Sequence, residues 1–148
     1  MRVATDTNCA CVPKRHTPAC RHGYGRRMQK KELGKKGEGL ALRYLKKQGY
    51  RIIETNYVCK MGEMDIIAKE KDTLAFIEVK TRTSTAFGLP QSAVNPTKQR
   101  QLSKVALHFL KEKQLEDAKA RFDVVAILLG PTKEDIDLIK DAFDLRWM

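Results

Sequence analysis

At 148 residues, with 42% hydrophobic and 32% charged side chains, the chain is sized for one domain around one core. Its longest strictly apolar run, Val124 to Leu129, falls far short of the roughly 20 residues of a membrane-spanning helix, so no such span is expected. Lys and Arg number 29 against 18 Asp and Glu, and the net charge of +11 favours polyanionic partners, nucleic acid ahead of an anionic membrane surface.

Residues 1–27 differ from the rest. Arg2, Lys14, Arg15, Arg21, Arg26 and Arg27 face only Asp6, and no helical or strand period is visible. Pro13, Pro18, Gly23 and Gly25 argue against an amphipathic transit helix, and there is no apolar stretch of the secretory kind. Cys9, Cys11 and Cys20 with His16 and His22 supply zinc-type ligands, but C-x-C beside C-x-H is a poor match to known zinc spacings. With Cys59 far away, a reducing cytoplasm is the simpler setting. The expectation is a disordered basic tail over 1–27 and a folded domain over 28–148.

The first patterned segment, residues 30–48, predicts a helix. Leu33, Gly37, Leu40, Ala41, Tyr44 and Leu45 share one face opposite a lysine-rich one, and Gly49 is placed to stop it. Strands follow at 50–58, 63–69 and 74–81, the last two joined across Glu70–Thr73. A polar loop covers 82–94. Asn95-Pro96 is a helix start, with Asn as N-cap and Pro at the first position; Leu102, Val105, Ala106, Phe109 and Leu110 carry that helix to about Lys113. Residues 121–129 are a strand apolar enough for burial on both faces. Residues 136–140 read equally as strand or helix. The order α-β-β-β-α-β implies an α/β fold with a mixed central sheet flanked by helices.

Side chains alternate along a strand. If Lys69 pairs with Leu74, then Asp65 falls opposite Glu78 and Glu63 opposite Lys80. Opposed side chains have Cβ atoms about 5 Å apart, and two carboxylates at that spacing repel unless a cation or proton lies between them. A hard divalent ion such as Mg²⁺ fits this pair, with Lys80 next along the face to orient water and neutralise a phosphate. The competing reading is a set of cross-strand ion pairs, which Glu63 with Lys80 would satisfy and Asp65 facing Glu78 would not.

Asp65 … Glu78-Val79-Lys80 resembles the D-(x)n-E-x-K signature of the PD-(D/E)xK nucleases, whose fold is restriction-endonuclease-like with an αβββαβ core. More closely, GEGLALRYLKKQGY, GEMDIIA, LAFIEVKTR and RFDVVAI resemble the YraN family of small predicted nucleases, themselves similar to Holliday-junction resolvases. The resemblance covers roughly residues 33–143. It implies Asp65, Glu78 and Lys80 as catalytic residues. Asp65, Glu78, the Val79 carbonyl and Glu38, which resembles the first-helix glutamate of the resolvases, would be the ligands for Mg²⁺ or Mn²⁺. Lys98, on the inward stripe of the second helix, Gln101 on its margin, and Arg82 are candidate nucleic-acid contacts, each with a surface role as the alternative. Asp123 reads as structural, paired with Arg121; His108 and Trp147 read as surface or packing residues.

The expected function is metal-dependent phosphodiester hydrolysis of DNA, endonucleolytic on branched or structured substrates, with RNA as the other polymer left open. A homodimer would give the two active sites that a symmetric junction needs. The alternatives are a non-catalytic nucleic-acid-binding module of the same fold and a basic protein- or membrane-binding adaptor.

Overall fold

The computed structural model describes residues 22–83 and 94–146, with side chains from residue 30 onward. Helix α1 (His22–Lys47) is followed by strands β1 (Arg51–Cys59), β2 (Gly62–Glu70) and β3 (Thr73–Arg82), helix α2 (Pro96–Glu112), and strands β4 (Ala120–Leu129) and β5 (Glu134–Phe143). The five strands form one sheet in sequential order. β1, β2 and β3 make an antiparallel meander, β4 runs parallel to β3 after the α2 crossover, and β5 folds back antiparallel on β4. This is the expected mixed α/β architecture, with residues 136–140 resolved as strand.

Helix α1 starts at His22, earlier than the periodic pattern at residue 30, so its backbone begins inside the stretch read as tail. The remainder of the tail, including the three cysteines and His16, lies outside the described residues, as do Trp147 and residues 84–93 of the polar loop. Gly49 ends the helix as expected: at φ +87 it adopts the left-handed conformation that costs glycine least, and the Tyr50 N–H returns to the Leu45 carbonyl.

The two helices cover opposite faces because alternate strand residues point opposite ways. On one face Leu102, Val105, Ala106 and Phe109 of α2 pack on Met64, Ile67, Phe76, Phe122 and Val124. Phe109 meets Phe76 and Tyr57 edge-on, at 5.9 and 5.2 Å between ring centroids. On the other face Leu40, Ala41 and Leu45 of α1 pack on Ile66, Ala68, Ala75, Ile77, Val125 and Ile127. β4 is buried from both sides between Phe122 and Ile127, as its apolar run requires.

One close approach sets how α1 lies on the sheet. A Cβ on Gly37 would overlap the Thr81 hydroxyl of β3. The helix backbone therefore rests against the end of β3, and the next residue, Glu38, is carried to the same end of the sheet. Asn95 caps α2, its Oδ1 accepting the Lys98 N–H at 2.8 Å, with Pro96 at the first helical position.

A candidate metal and nucleic-acid site

The β2–β3 hairpin turns tighter than expected. Glu70 pairs with Thr73, leaving Lys71 and Asp72 as a two-residue turn with Lys71 at φ +52. The register is nonetheless the expected one: Lys69 faces Leu74, and pairing continues to Ile66 facing Ile77. There the ladder stops. Asp65, one residue beyond, turns its carboxylate onto the strand opposite, and Oδ2 accepts the Val79 N–H at 2.7 Å. Asp65 is thus clamped to the residue next to Glu78.

Glu78 is 3% exposed. Its Oε1 accepts Lys80 Nζ at 2.5 Å, and Lys98 Nζ stands 3.4 Å from the same oxygen. Oε2 is buried with no hydrogen-bond partner among the described residues. A buried carboxylate oxygen left unpaired is costly, so such an atom invites a ligand from outside the described residues. The Glu63–Lys80 ion pair of the competing reading does not form among the described residues: Glu63 faces Val58 of β1 and is exposed, while Lys80 stays with Glu78 on its own strand. The ion-pair account of these residues therefore fails in its best pair.

Burial foremost, and then the negative charge of Glu78, push the Asp65 carboxyl up to about 6, against the pull of the Val79 N–H and Lys98. Glu38 adds a smaller push in the same direction. A cavity of about 710 Å³ opens over these groups, lined by Lys30, Leu33, Gly34 and Glu38 of α1, Asp65 of β2, and Glu78 through Thr83. Arg82 is thus at the cavity wall, where the sequence placed a nucleic-acid contact. Gln101 sits apart from the wall: its side chain packs on Gly62 at the start of β2, where an added Cβ would lie 2.5 Å from Nε2.

The donor set suits a hard divalent cation. Asp65 and Glu78 bring two carboxylates to one open cavity, the number Mg²⁺ uses when it keeps several waters. The orphaned Glu78 Oε2 is the atom such an ion would satisfy. Glu38 is less closely engaged than the resemblance implies. No cluster of three or more His, Cys, Asp or Glu gathers among the described residues, and Glu38 Oε2 takes the Asn56 side-chain amide at 3.4 Å. It faces the cavity as a wall residue.

The structure also shows what sequence reasoning missed. Lys98 was expected at a phosphate or in water; its contact is Glu78. The Gly37–Thr81 contact, which positions Glu38, had a signal in a glycine on the apolar stripe of a lysine-rich helix. His108 is more than a surface residue, since Nδ1 lies 2.8 Å from the Tyr57 hydroxyl, which also donates to Glu112. Asp123 is structural as expected, and more extensively so. Fully buried, it accepts from Tyr50, from Arg121 and from the Asp141 N–H. Arg121 goes on to Glu70, which also takes Lys140.

The model of the uncharacterised protein family UPF0102 matches residues 37–127. The chain belongs to that family. The UPF0102 match takes in every candidate site residue from Glu38 to Gln101. A UPF0102 protein of Syntrophus aciditrophicus is 52% identical over 122 residues, 82% of this chain and 96% of the relative. One from Geotalea daltonii is 54% identical over 118 residues, 79% of this chain and 93% of the relative. A UPF0102 protein of Caldicellulosiruptor saccharolyticus is 49% identical over 118 residues, 78% of this chain and 100% of the relative. Among solved structures, the crystal structure of SSO0001 overlaps 76% of this chain and 52% of its own length, with 19% identity and a TM-score of 0.32, too loosely to inform the site. No described helix is long and apolar enough to cross a membrane.

Proposed function

We propose that the protein is a Mg²⁺- or Mn²⁺-dependent phosphodiesterase that cuts DNA internally, on branched or structured substrates. The observation that carries this reading is Glu78: a buried carboxylate with one oxygen unpaired among the described residues, at an open cavity that a second carboxylate also lines, and with two lysines on its other oxygen. When bound, the divalent ion supplies a Lewis acid for a phosphate oxygen and a bound water of lowered pKa.

Asp65 and Glu78 would hold that ion, with the Val79 carbonyl as a third donor. The Val79 N–H fixes the Asp65 carboxylate in place. Lys80 orients the attacking water and offsets the charge that grows on the phosphate. Glu38 closes the α1 side of the cavity, Lys98 and Arg82 offer contacts to the DNA backbone, and Gln101, beside Gly62 and off the cavity wall, offers one farther out. The wider basic surface supplies affinity without sequence preference. A homodimer is the assembly that would cut both arms of a symmetric junction. The preference for branched DNA comes from the likeness to resolvases, and the chemistry from the site.

The test is a cleavage screen on duplex, single-stranded, flap and four-way DNA, with RNA counterparts, in Mg²⁺, Mn²⁺ or EDTA. Divalent-dependent cutting that Asp65→Asn and Glu78→Gln abolish supports the reading. Salt-sensitive binding with no cutting in any ion makes the protein a binding module, and no binding at low salt makes it an adaptor for another partner.

A further inference from the structure

Glu78 attracts two lysines, and they are not equivalent. Lys80 is two residues away on the same strand and face, so its contact at 2.5 Å is largely local. Lys98 comes from a different element, and at 3.4 Å its Nζ makes a charge contact beyond good hydrogen-bond length. It also stands in the first turn of α2, which has no acidic side chain. The exposed N–H groups of a helix N-terminus carry partial positive charge, and a lysine there is electrostatically disfavoured. Its charge contact with Glu78 offsets that. The Lys98 side chain is partly exposed, with its stem at the helix start, so it is free to swing without disturbing the core.

The charges make the same point. With both carboxylates ionised, Asp65 and Glu78 are balanced by Lys80 and Lys98. Adding a divalent cation to this set leaves an excess of two positive charges, which two neighbouring phosphodiesters of a nucleic-acid backbone, each a monoanion, can neutralise. Building on the reading of the site as a metal-dependent phosphodiesterase, we propose that Lys98 is an exchangeable counter-ion. It holds Glu78 in the metal-free protein, yields that carboxylate when a divalent cation binds, and passes to a phosphate oxygen of the incoming nucleic acid.

This has two consequences that neither a purely structural lysine nor a purely phosphate-binding lysine would have together. Removing Lys98 should strengthen cation binding to the protein alone, because the cation no longer competes with a like charge for Glu78. It should also weaken the mutual reinforcement between cation and nucleic acid, which by linkage is the same seen from either ligand. A structural lysine that stayed on Glu78 would also strengthen cation binding when removed, through lost like-charge repulsion, but would leave the reinforcement between cation and nucleic acid unchanged. A lysine serving only the phosphate would weaken nucleic-acid binding and leave cation affinity alone.

The experiment is isothermal titration of the full chain with MnCl₂, using wild type, Lys98→Met, Lys98→Gln and Lys98→Arg. Each is titrated alone and again with a phosphorothioate DNA duplex that resists cleavage. Lys98→Met should bind Mn²⁺ about tenfold more tightly, the scale expected when a partly screened like charge is removed from beside a cation. Lys98→Arg should match wild type. The tightening of Mn²⁺ binding by DNA should be smaller in Lys98→Met than in wild type. Lys98→Gln gives the same comparison if the methionine variant does not fold. Unchanged or weaker Mn²⁺ affinity in the folded neutral variants, or undiminished reinforcement by DNA, overturns the counter-ion proposal and leaves the metal site standing. Failure of the wild type to bind Mn²⁺ overturns both.

Discussion

Asp65→Asn should make the metal-free protein more stable at neutral pH. Burial and the charge of Glu78 hold the Asp65 carboxyl at about 6, against an ordinary value of 3.8. Below 3.8 the folded and unfolded chains both carry the proton, and the residue contributes nothing to pH dependence. Between 3.8 and about 6 the unfolded chain has released a proton that the folded chain retains, so stability falls as pH rises. Above about 6 the full penalty is present. A gap of this size corresponds to ~3 kcal/mol, and water entering the open side of the cavity reduces it to ~1–2 kcal/mol. Asparagine keeps an oxygen to accept the Val79 N–H while removing the charge. Urea unfolding in EDTA at about pH 7.5 should therefore show the variant ahead of wild type by ~1–2 kcal/mol, or several degrees in a thermal melt. At about pH 4 the difference should shrink towards zero. Adding Mn²⁺ should reverse the order, since the wild type gains stability from a ligand that binds only the folded state and the variant does not. A variant no more stable than wild type in EDTA at neutral pH would refute the like-charge account of the Asp65–Glu78 pair.

Other substitutions probe how the site is supported. Gly37→Ala puts a methyl into the Thr81 hydroxyl and should cost ~1–3 kcal/mol in urea unfolding; pairing it with Thr81→Gly should restore much of the loss. Asp123→Ala strips the acceptor from Tyr50, Arg121 and the Asp141 N–H and should cost ~3–5 kcal/mol by the same assay, without changing Mn²⁺ affinity. Lys80→Ala should lose cleavage and keep Mn²⁺ binding in calorimetry, whereas Glu78→Gln should lose both with the fold intact by circular dichroism.

What the sequence conveys well is what depends on local pattern. Asn95-Pro96 announces α2 because N-cap chemistry is read from adjacent residues, and Gly49 announces the end of α1 for the same reason. The hairpin register follows from alternation once a turn is assumed, so the proximity of Asp65 and Glu78 was legible even though the turn is two residues rather than four. Residues 136–140 were ambiguous because a mixed polar-apolar edge strand lacks a clean period; pairing with β4 decides them. The start of α1 was misplaced because Gly23 and Gly25 lower helix propensity without forbidding helix. Least legible were contacts between distant elements. Nothing near Lys98 in the chain says that Glu78 will be its neighbour, and nothing near Tyr50 says that Asp123 will accept its hydroxyl.

The separation in sequence of the site's parts has a bearing on how the protein folds. Asp65 and Glu78 belong to one hairpin with a two-residue turn, a unit of local contacts that closes early. Lys98 arrives only with α2, whose docking is tied to the parallel pairing of Leu74 with Ala120 across the crossover, a contact that must pay a much larger loop-closure entropy. The hairpin's acid pair is thus expected to assemble before its second lysine arrives. The folding order expected from these contacts includes a stage in which two carboxylates are crowded with only Lys80 to compensate them. Mild acid or a divalent cation should ease that stage, so the refolding rate of this chain carries a record of the site's electrostatics before any substrate is present.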